Sequence, residues 1–264
     1  MPDFSKRSQQ PELLDNPDIP FEDIRQNMRE LNLVNTWLGG HRITIAGFKR
    51  LLRDENKISV CEIGCGGGDN LFAIDKWCKK NNINIQLTGI DINPNCIQYA
   101  KQQYPDFNFI CSDYKDVKFA AALINNDFKG ESPERDSPRI VDETASHLRE
   151  TRLKNPLRPD IIFNSLFCHH FSNEEIIYIL RWMQENSSTG FLINDLHRHP
   201  FAYYSIKWLT KIFSKSYLVK NDAPLSVLRG FTKREWQNLL QKAGISNVQL
   251  SWEWAFRHLI VCMK

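Results

Sequence analysis

The residues of this chain best suited to chemistry begin at Glu62-Ile-Gly-Cys-Gly-Gly-Gly-Asp69. Closely spaced glycines permit a tight turn and let the backbone approach a ligand. A short β-prone run, Ile58-Ser-Val-Cys-Glu-Ile63, leads into the loop, and a helical stretch follows it through Trp77. Strand-to-helix loops of this kind bind nucleotides, and the charges around this one narrow the ligand. A dinucleotide fingerprint, GxGxxG, would set a pyrophosphate on the helix N-terminus. Its third glycine falls on Asp69 here, and Glu62 stands just ahead of the loop. Two carboxylates repel a pyrophosphate and welcome a ligand that carries cationic groups.

Two more acids end the next two predicted strands. Ile85-Gln-Leu-Thr-Gly-Ile90 runs into Asp91, and Phe107-Asn-Phe-Ile-Cys111 runs into Ser112-Asp113. An acid after the second strand can accept from both hydroxyls of a ribose, and Asp113 could accept from an adenine amino group. Taken singly, each acid is equally an ordinary turn or capping residue. Three of them at successive strand ends behind a glycine loop make a stronger case. S-adenosylmethionine carries a sulfonium, an ammonium and no phosphate, and the set fits it better than a nicotinamide dinucleotide.

Methyl transfer from such a donor is an in-line displacement, in which positioning and exclusion of water matter most. A hydroxyl acceptor also profits from a general base that titrates near neutrality, a task for histidine. His169 and His170 follow one predicted strand, and His197 and His199 follow the next, in Asn194-Asp-Leu-His-Arg-His-Pro200. His170 and His197 are the favoured bases, with His169 beside them. Each could equally orient a loop by bonding a backbone carbonyl, and Asp195 could be a helix cap or a histidine partner. No metal-ligand spacing such as HExxH is present, and no metal is assigned.

The elements that must position these groups alternate along the chain. Residues 1–20, with Pro2, Pro11, Pro17 and Pro20, read as an extended arm. Helical spacing begins at Phe21, Ile24, Met28 and Leu31, and a second helix is predicted over much of 35–53. Gly39-Gly40 inside that pattern implies a hinge, a close approach or a plain bend. After the glycine loop, Asn93-Pro94 caps and opens a helix to about Tyr104. Asp160–Leu166 and Gly190–Asp195 read as strands, and Ser172/Glu175 and Thr232/Glu235 are capping boxes of two helices. Val248–Trp252 and His258–Cys262, joined by a short link, form an antiparallel pair at one edge. Strand–helix alternation with short apolar strands predicts an α/β fold with a mostly parallel sheet.

Two stretches interrupt this rhythm. Residues 115–159 are a mixed-charge insertion, with seven Lys/Arg against six Asp/Glu from Lys129 to Arg158. Residues 197–234 are far longer than a strand–helix link requires and read as a lid over an acceptor pocket. Within the lid, Phe201, Tyr204, Trp208, Leu209, Ile212 and Phe213 recur at helical spacing and are expected to be core. Lys207, Lys211 and Lys215 lie four apart, and the lid holds eight Lys/Arg against one acid, Asp222. An aromatic stripe beside a basic face suits an aromatic or lipid-like acceptor, carried on an anionic partner or met at an acidic membrane surface.

Composition bounds the rest. The 264 residues are 42% hydrophobic and 25% charged, and 34 Lys/Arg against 31 Asp/Glu give +3. That composition excludes a disordered chain, and so even a balance argues against nucleic acid as partner. No run approaches the ~18 apolar residues of a transmembrane segment, and no apolar core behind Met1-Pro-Asp-Phe-Ser-Lys-Arg suggests a signal peptide. Seven cysteines without a CxxC pair imply a reduced, cytoplasmic setting.

Val60-Cys-Glu-Ile-Gly-Cys-Gly-Gly-Gly68, Gly89-Ile-Asp91-Ile-Asn and Cys111-Ser-Asp113-Tyr resemble the first three motifs of the class I S-adenosylmethionine-dependent methyltransferases. Asp160–Phe171 is similar to the fourth-strand segment of the small-molecule branch, which includes the quinone-biosynthesis type (methyltransferase types 11 and 12). The resemblance covers about residues 55–263, interrupted by the insertion. It implies a Rossmann-like sheet with helices on both faces and an antiparallel C-terminal edge strand, here preceded by N-terminal helices over 1–54 and carrying the lid insertion. It implies S-adenosylmethionine as cofactor, with Glu62, Gly64, Cys65 and Gly66 at its methionine end. Asp91 would take the ribose, Ile92 the adenine ring and Asp113 its amino group, with Ser112, Tyr114 and Ser165 beside them. The expected reaction is methylation of a hydroxyl on a small aromatic or lipid-like acceptor. A catalytically silent cofactor-binding module is the alternative. A nucleic-acid methyltransferase ranks lower, because Asn164-Ser-Leu-Phe167 lacks the Asn/Asp-Pro-Pro-aromatic clamp, and an NAD-dependent enzyme ranks last.

Overall fold

The computed structural model describes residues 2–16, 18–52, 57–119 and 158–264. Seven strands build one sheet: β1 (Lys57–Ile63), β2 (Asn84–Asp91), β3 (Asn108–Cys111), β4 (Ile161–Ser165), β5 (Gly190–Leu196), β6 (Val248–Glu253) and β7 (Arg257–Met263). Their order is β3-β2-β1-β4-β5-β7-β6. The first five are parallel neighbours, and β7 runs antiparallel between β5 and β6. The C-terminal antiparallel pair is therefore present, with β6 as the edge and β7 inside the sheet.

The central strands are apolar on both faces because helices cover both faces. Alternate residues of each strand go to opposite cores. Ile161, Phe163, Leu192, Leu259 and Val261 pack with α2 (Gly40–Leu51), α3 (Asp69–Lys80) and α4 (Pro94–Gln103). Ile162, Phe191, Ile193, Ile260 and Cys262 pack with α5 (Asn173–Asn186) and α8 (Lys233–Ala243). The capping residues act as their sequence predicts. Asn93 accepts from the amides of Asn95 and Cys96 at 2.9 and 3.3 Å. Both capping boxes close reciprocally, and Gly244 ends α8 in the left-handed region with φ +79°.

The second helix predicted over much of 35–53 is α2: α1 (Phe21–Trp37) ends first, and Gly39, with φ +77°, turns the chain into it. Gly40 explains the second glycine, since a Cβ there would lie 2.9 Å from Asn35 Oδ1 and 3.1 Å from the Arg257 guanidinium. The lid consists of α6 (Pro200–Phe213) and α7 (Tyr217–Arg229). Its aromatic stripe is not core: α6 buries Ala202, Tyr203, Ile206 and Thr210, and turns Phe201, Trp208, Ile212 and Phe213 outward. Helical spacing identified an apolar face without saying which side of the helix the protein would cover. Finally, most of the 115–159 insertion lies outside the described residues. Its first residues continue a 3-10 turn, Tyr114–Asp116, and Val117 and Phe119 pack on the α5 core.

Candidate active site

Strand order reverses beside β1, so the crevice beyond the C-terminal ends of β1 and β4 is the ligand position of an open α/β sheet. The glycine loop lines it. The amides of Gly64 and Cys65 both donate to Ile90 O, at 2.8 and 3.1 Å. Gly66 N–H donates to Asp91 Oδ2 at 2.9 Å, and Asn93 N–H to Oδ1 at 2.8 Å. Asp91 thus fastens the loop to the end of β2, and burial raises its carboxyl against the lowering effect of those amides. Gly64 has φ +67°, and a Cβ there would overlap the ring of Phe167. Both constraints demand glycine.

Glu62 is fully buried in the same place. Its Oε1 accepts from Asn70 Nδ2 at 3.2 Å, while Oε2 has no hydrogen-bond partner among the described residues. Burial first, and then the neighbouring Asp69, push its carboxyl well above the ordinary value. A buried oxygen of this kind is costly unless something pairs with it. A cationic group answers that need, so the acids fit the ammonium end of S-adenosylmethionine. Ser165 Oγ, at the end of β4, is likewise buried without a hydrogen-bond partner among the described residues. At the far end of the crevice Ile92 is 70% exposed. Asp113 caps the 3-10 turn through Lys115 N–H at 3.0 Å, and Ser112 Oγ donates to Asp113 O at 3.0 Å. Tyr114 differs from the others: its ring is buried against Trp182 and Phe167, and burial raises its phenol.

Next to this crevice a cavity of about 330 Å³ opens between α1, α6, α7 and the β6–β7 turn. Leu31, Val34, Leu38, Ile206, Leu209 and Trp254 make its walls mostly apolar, and Leu166, just after β4, joins it to the crevice. Its polar wall is a cluster around Glu12, His169 and His170. His169 Nδ1 lies 2.7 Å from Asp195 Oδ1, and Nε2 lies 3.5 Å from Glu12 Oε1. Burial opposes charge on this ring, yet Asp195 and Glu12 outweigh burial and raise His169 to about 9. Both carboxyls are held below their ordinary values in return. His169 is therefore an imidazolium at neutral pH, donating from both nitrogens. His170 is more open; its Nδ1 lies 3.1 Å from Asp15 Oδ1 and its Nε2 3.8 Å from Glu12 Oε2. Arg229 holds the turn that carries both rings, donating to His169 O at 3.0 Å and His170 O at 2.8 Å.

The potential ligand atoms of Glu12, His169 and His170 all lie within 4.8 Å of one another. Glu12 is already heavily engaged, however. Its Oε1 accepts from Ser226 Oγ at 2.8 Å and lies 3.9 Å from Arg229 Nε as well as beside the imidazolium. Two fixed cations on one carboxylate make this a hydrogen-bonded charge cluster.

His197, expected to face the methyl group, lies elsewhere. Its Nδ1 accepts from Trp252 Nε1 at 3.2 Å and its ring packs against His258, outside the residues that line the cavity. His199 caps α6 by accepting from Phe201 N–H at 3.2 Å. Of the three candidate bases, the structure brings together His169 and His170 only. The N-terminal stretch also departs from the expected extended arm. It contains a 3-10 turn, Leu13–Asp15, whose amides donate to Asp222 at 2.8 and 2.9 Å. Sequence reasoning missed Glu12, Asp15 and Arg229 altogether. The signal available was Asp222, the one acid of a basic lid.

Residues 54–244 match a family described as a methyltransferase domain. The chain belongs to that family, as a class I S-adenosylmethionine-dependent methyltransferase. Among solved structures, human N-acetylserotonin methyltransferase in complex with S-adenosylmethionine superposes with a TM-score of 0.55 at 17% identity, over 97% of this chain and 63% of that one. The plantazolicin methyltransferase BpumL in complex with S-adenosylhomocysteine gives 0.52 at 20% identity, over 88% and 72%. At such identities the likeness is one of fold. No curated protein matches the sequence. Among the described residues, no helix is long and apolar enough to cross a membrane.

Proposed function

We propose that this methyltransferase methylates a hydroxyl oxygen on a small aromatic or lipid-like acceptor. One observation carries the reading: an apolar cavity, adjoining the cofactor crevice, whose polar wall is a carboxylate–histidine cluster. When bound, S-adenosylmethionine supplies a methyl carbon activated by its sulfonium. Glu62, Gly64, Cys65 and Gly66 would hold the methionine end, Asp91 and Ile92 the ribose and adenine, and Ser112, Asp113 and Ser165 would complete the crevice, with Tyr114 packed behind it. The apolar walls orient the acceptor and keep water out, which is where most of the acceleration of a displacement arises. His170 Nε2 would accept the proton of the acceptor hydroxyl, with Asp15 fixing the ring through Nδ1. His169 is already protonated and serves as a positioning residue.

The direct test is turnover of phenols and long-chain alcohols, read by mass spectrometry as methyl ethers. Acceptance of amines or carbon acids alone would overturn the oxygen assignment. Turnover should survive a chelator, and its loss there would restore a metal at Glu12, His169 and His170.

Cofactor binding carries its own prediction. Burial and then Asp69 raise the Glu62 carboxyl in the free protein, which favours its protonated form. A cation paired with it favours the ionised form, so binding releases up to about one proton. Calorimetry with S-adenosylhomocysteine at pH 7, in buffers of different ionisation enthalpy, should reveal that release, and Glu62→Gln should abolish it. Equal release by both proteins would remove Glu62 from the role.

A further inference from the structure

The outer face of α6 is the strongest unassigned feature of the molecule. Phe201, Tyr204, Trp208, Leu209, Ile212 and Phe213 are each between 41% and 71% exposed. At about 100° per residue they occupy one side of the helix, opposite the buried Ala202, Tyr203, Ile206 and Thr210. Apolar residues scattered over a surface need no explanation, but an aligned row of large ones marks an interaction surface. The β6–β7 turn extends it, since Trp254, which lines the same cavity as Phe201 and Leu209, is 65% exposed.

Two observations say what covers it. Lys207 and Lys211 run along one edge of the row and Lys215 follows the helix, while α6 contains no acid. The nearby Glu30 is spent on the backbone amides of Lys215 and Ser216. A basic edge beside an aromatic face matches an anionic lipid surface, where rings enter the headgroup boundary and lysines meet the phosphates. A second copy of the chain would bring another lysine edge and no α6 acid to meet it. The cavity supplies the second observation. Its exposed lining residues are Phe201, Leu209 and Trp254, so the mouth lies on this same face.

We infer that α6 is an interfacial helix that docks the enzyme on anionic membranes with the mouth of its acceptor cavity against the lipid. An acceptor dissolved in the bilayer would then reach the histidine cluster without crossing water. This last step rests on the proposed lipid-like acceptor, whereas docking itself does not, and the two are tested apart.

Docking is measured with the full chain and no acceptor or cofactor, by co-sedimentation with phosphatidylcholine vesicles with or without phosphatidylglycerol. The protein should bind the anionic vesicles and release in high salt. Lys207→Gln, Lys211→Gln and Lys215→Gln together should weaken binding on the order of a hundredfold. Trp208→Ser with Ile212→Ser and Phe213→Ser should abolish it, while the melting temperature and turnover of a water-soluble acceptor are retained. None of these six residues lines the cavity. Equal affinity for neutral and anionic vesicles, no binding, or unaltered binding by the serine variant would overturn the inference. So would a solution dimer that the serine variant dissolves, which would assign the face to a second copy. If vesicles bind but no lipid-like acceptor is turned over, docking stands and the acceptor assignment fails.

Discussion

Replacing His170 with Gln lowers turnover of a phenolic acceptor by about 10²–10⁴-fold, the usual worth of a general base. The thermal shift given by S-adenosylhomocysteine should stay as in the wild type, because His170 lines the apolar cavity and not the glycine-loop crevice. At a hundred times its dissociation constant that shift corresponds to about 2.7 kcal/mol, so its retention is easily measured. His169 cannot substitute. Asp195 and Glu12 hold it protonated, up to about 9, and an imidazolium has no lone pair to offer. The loss should shrink across a series of increasingly acidic phenols, which need less help to ionise. A deficit independent of phenol acidity would make His170 a positioning residue only. A lost cofactor shift would mean that the substitution had damaged the fold.

Asp195→Ala produces the largest stability loss. Asp195 is completely buried and accepts from His169 Nδ1 at 2.7 Å and from Leu196 N–H at 2.7 Å. Removing it leaves the buried His169 ring with Glu12 alone, 3.5 Å away, at a cost of up to about 3–5 kcal/mol. For a chain of this size that is a fall of about 10 °C in melting temperature. Adding His169→Gln to the Asp195 variant should restore part of the loss, because the under-compensated buried charge disappears. Additive losses would show that the pair does not interact. The pH dependence follows from the same geometry. His169 gains protons on folding, so its contribution is fully present below its ordinary value near 6.5 and is lost as pH rises through about 9. Melting curves of the wild type should fall across that alkaline window, and those of His169→Gln should lack this component.

Much of the fold was legible because local signals agreed with the tertiary answer. The asparagine and serine/threonine caps, the apolar strands and Gly244 each had one chemically sensible interpretation, and each is realised. The gathering of Glu62, Asp91 and Asp113 at one end of the sheet was legible for the same reason, since these acids stand next to the strand ends that place them. The acceptor cluster was not. Glu12 meets Ser226 across 214 residues, and no periodicity registers a contact of that span. The outward turn of α6 was hidden too, because a row of rings at helical spacing looks the same whether protein or lipid covers it. His197 and His170 were equivalent in sequence, each just past a strand. Only the packing of Trp252 against one, and of the N-terminal turn against the other, tells them apart.

The docking of the N-terminal turn on α7 fixes an order of assembly. The amides of Leu13 and Leu14 bind Asp222, and Glu12 binds Ser226. Glu12, Leu13 and Leu14 thus find these partners only after a further 208 to 214 residues have been made. A nascent chain can complete the glycine loop and strands β1 to β3 long before it can hold Glu12 against His169. The contact between Glu12 and His169 is therefore made late as the chain leaves the ribosome, after the glycine loop and the first three strands are already in place.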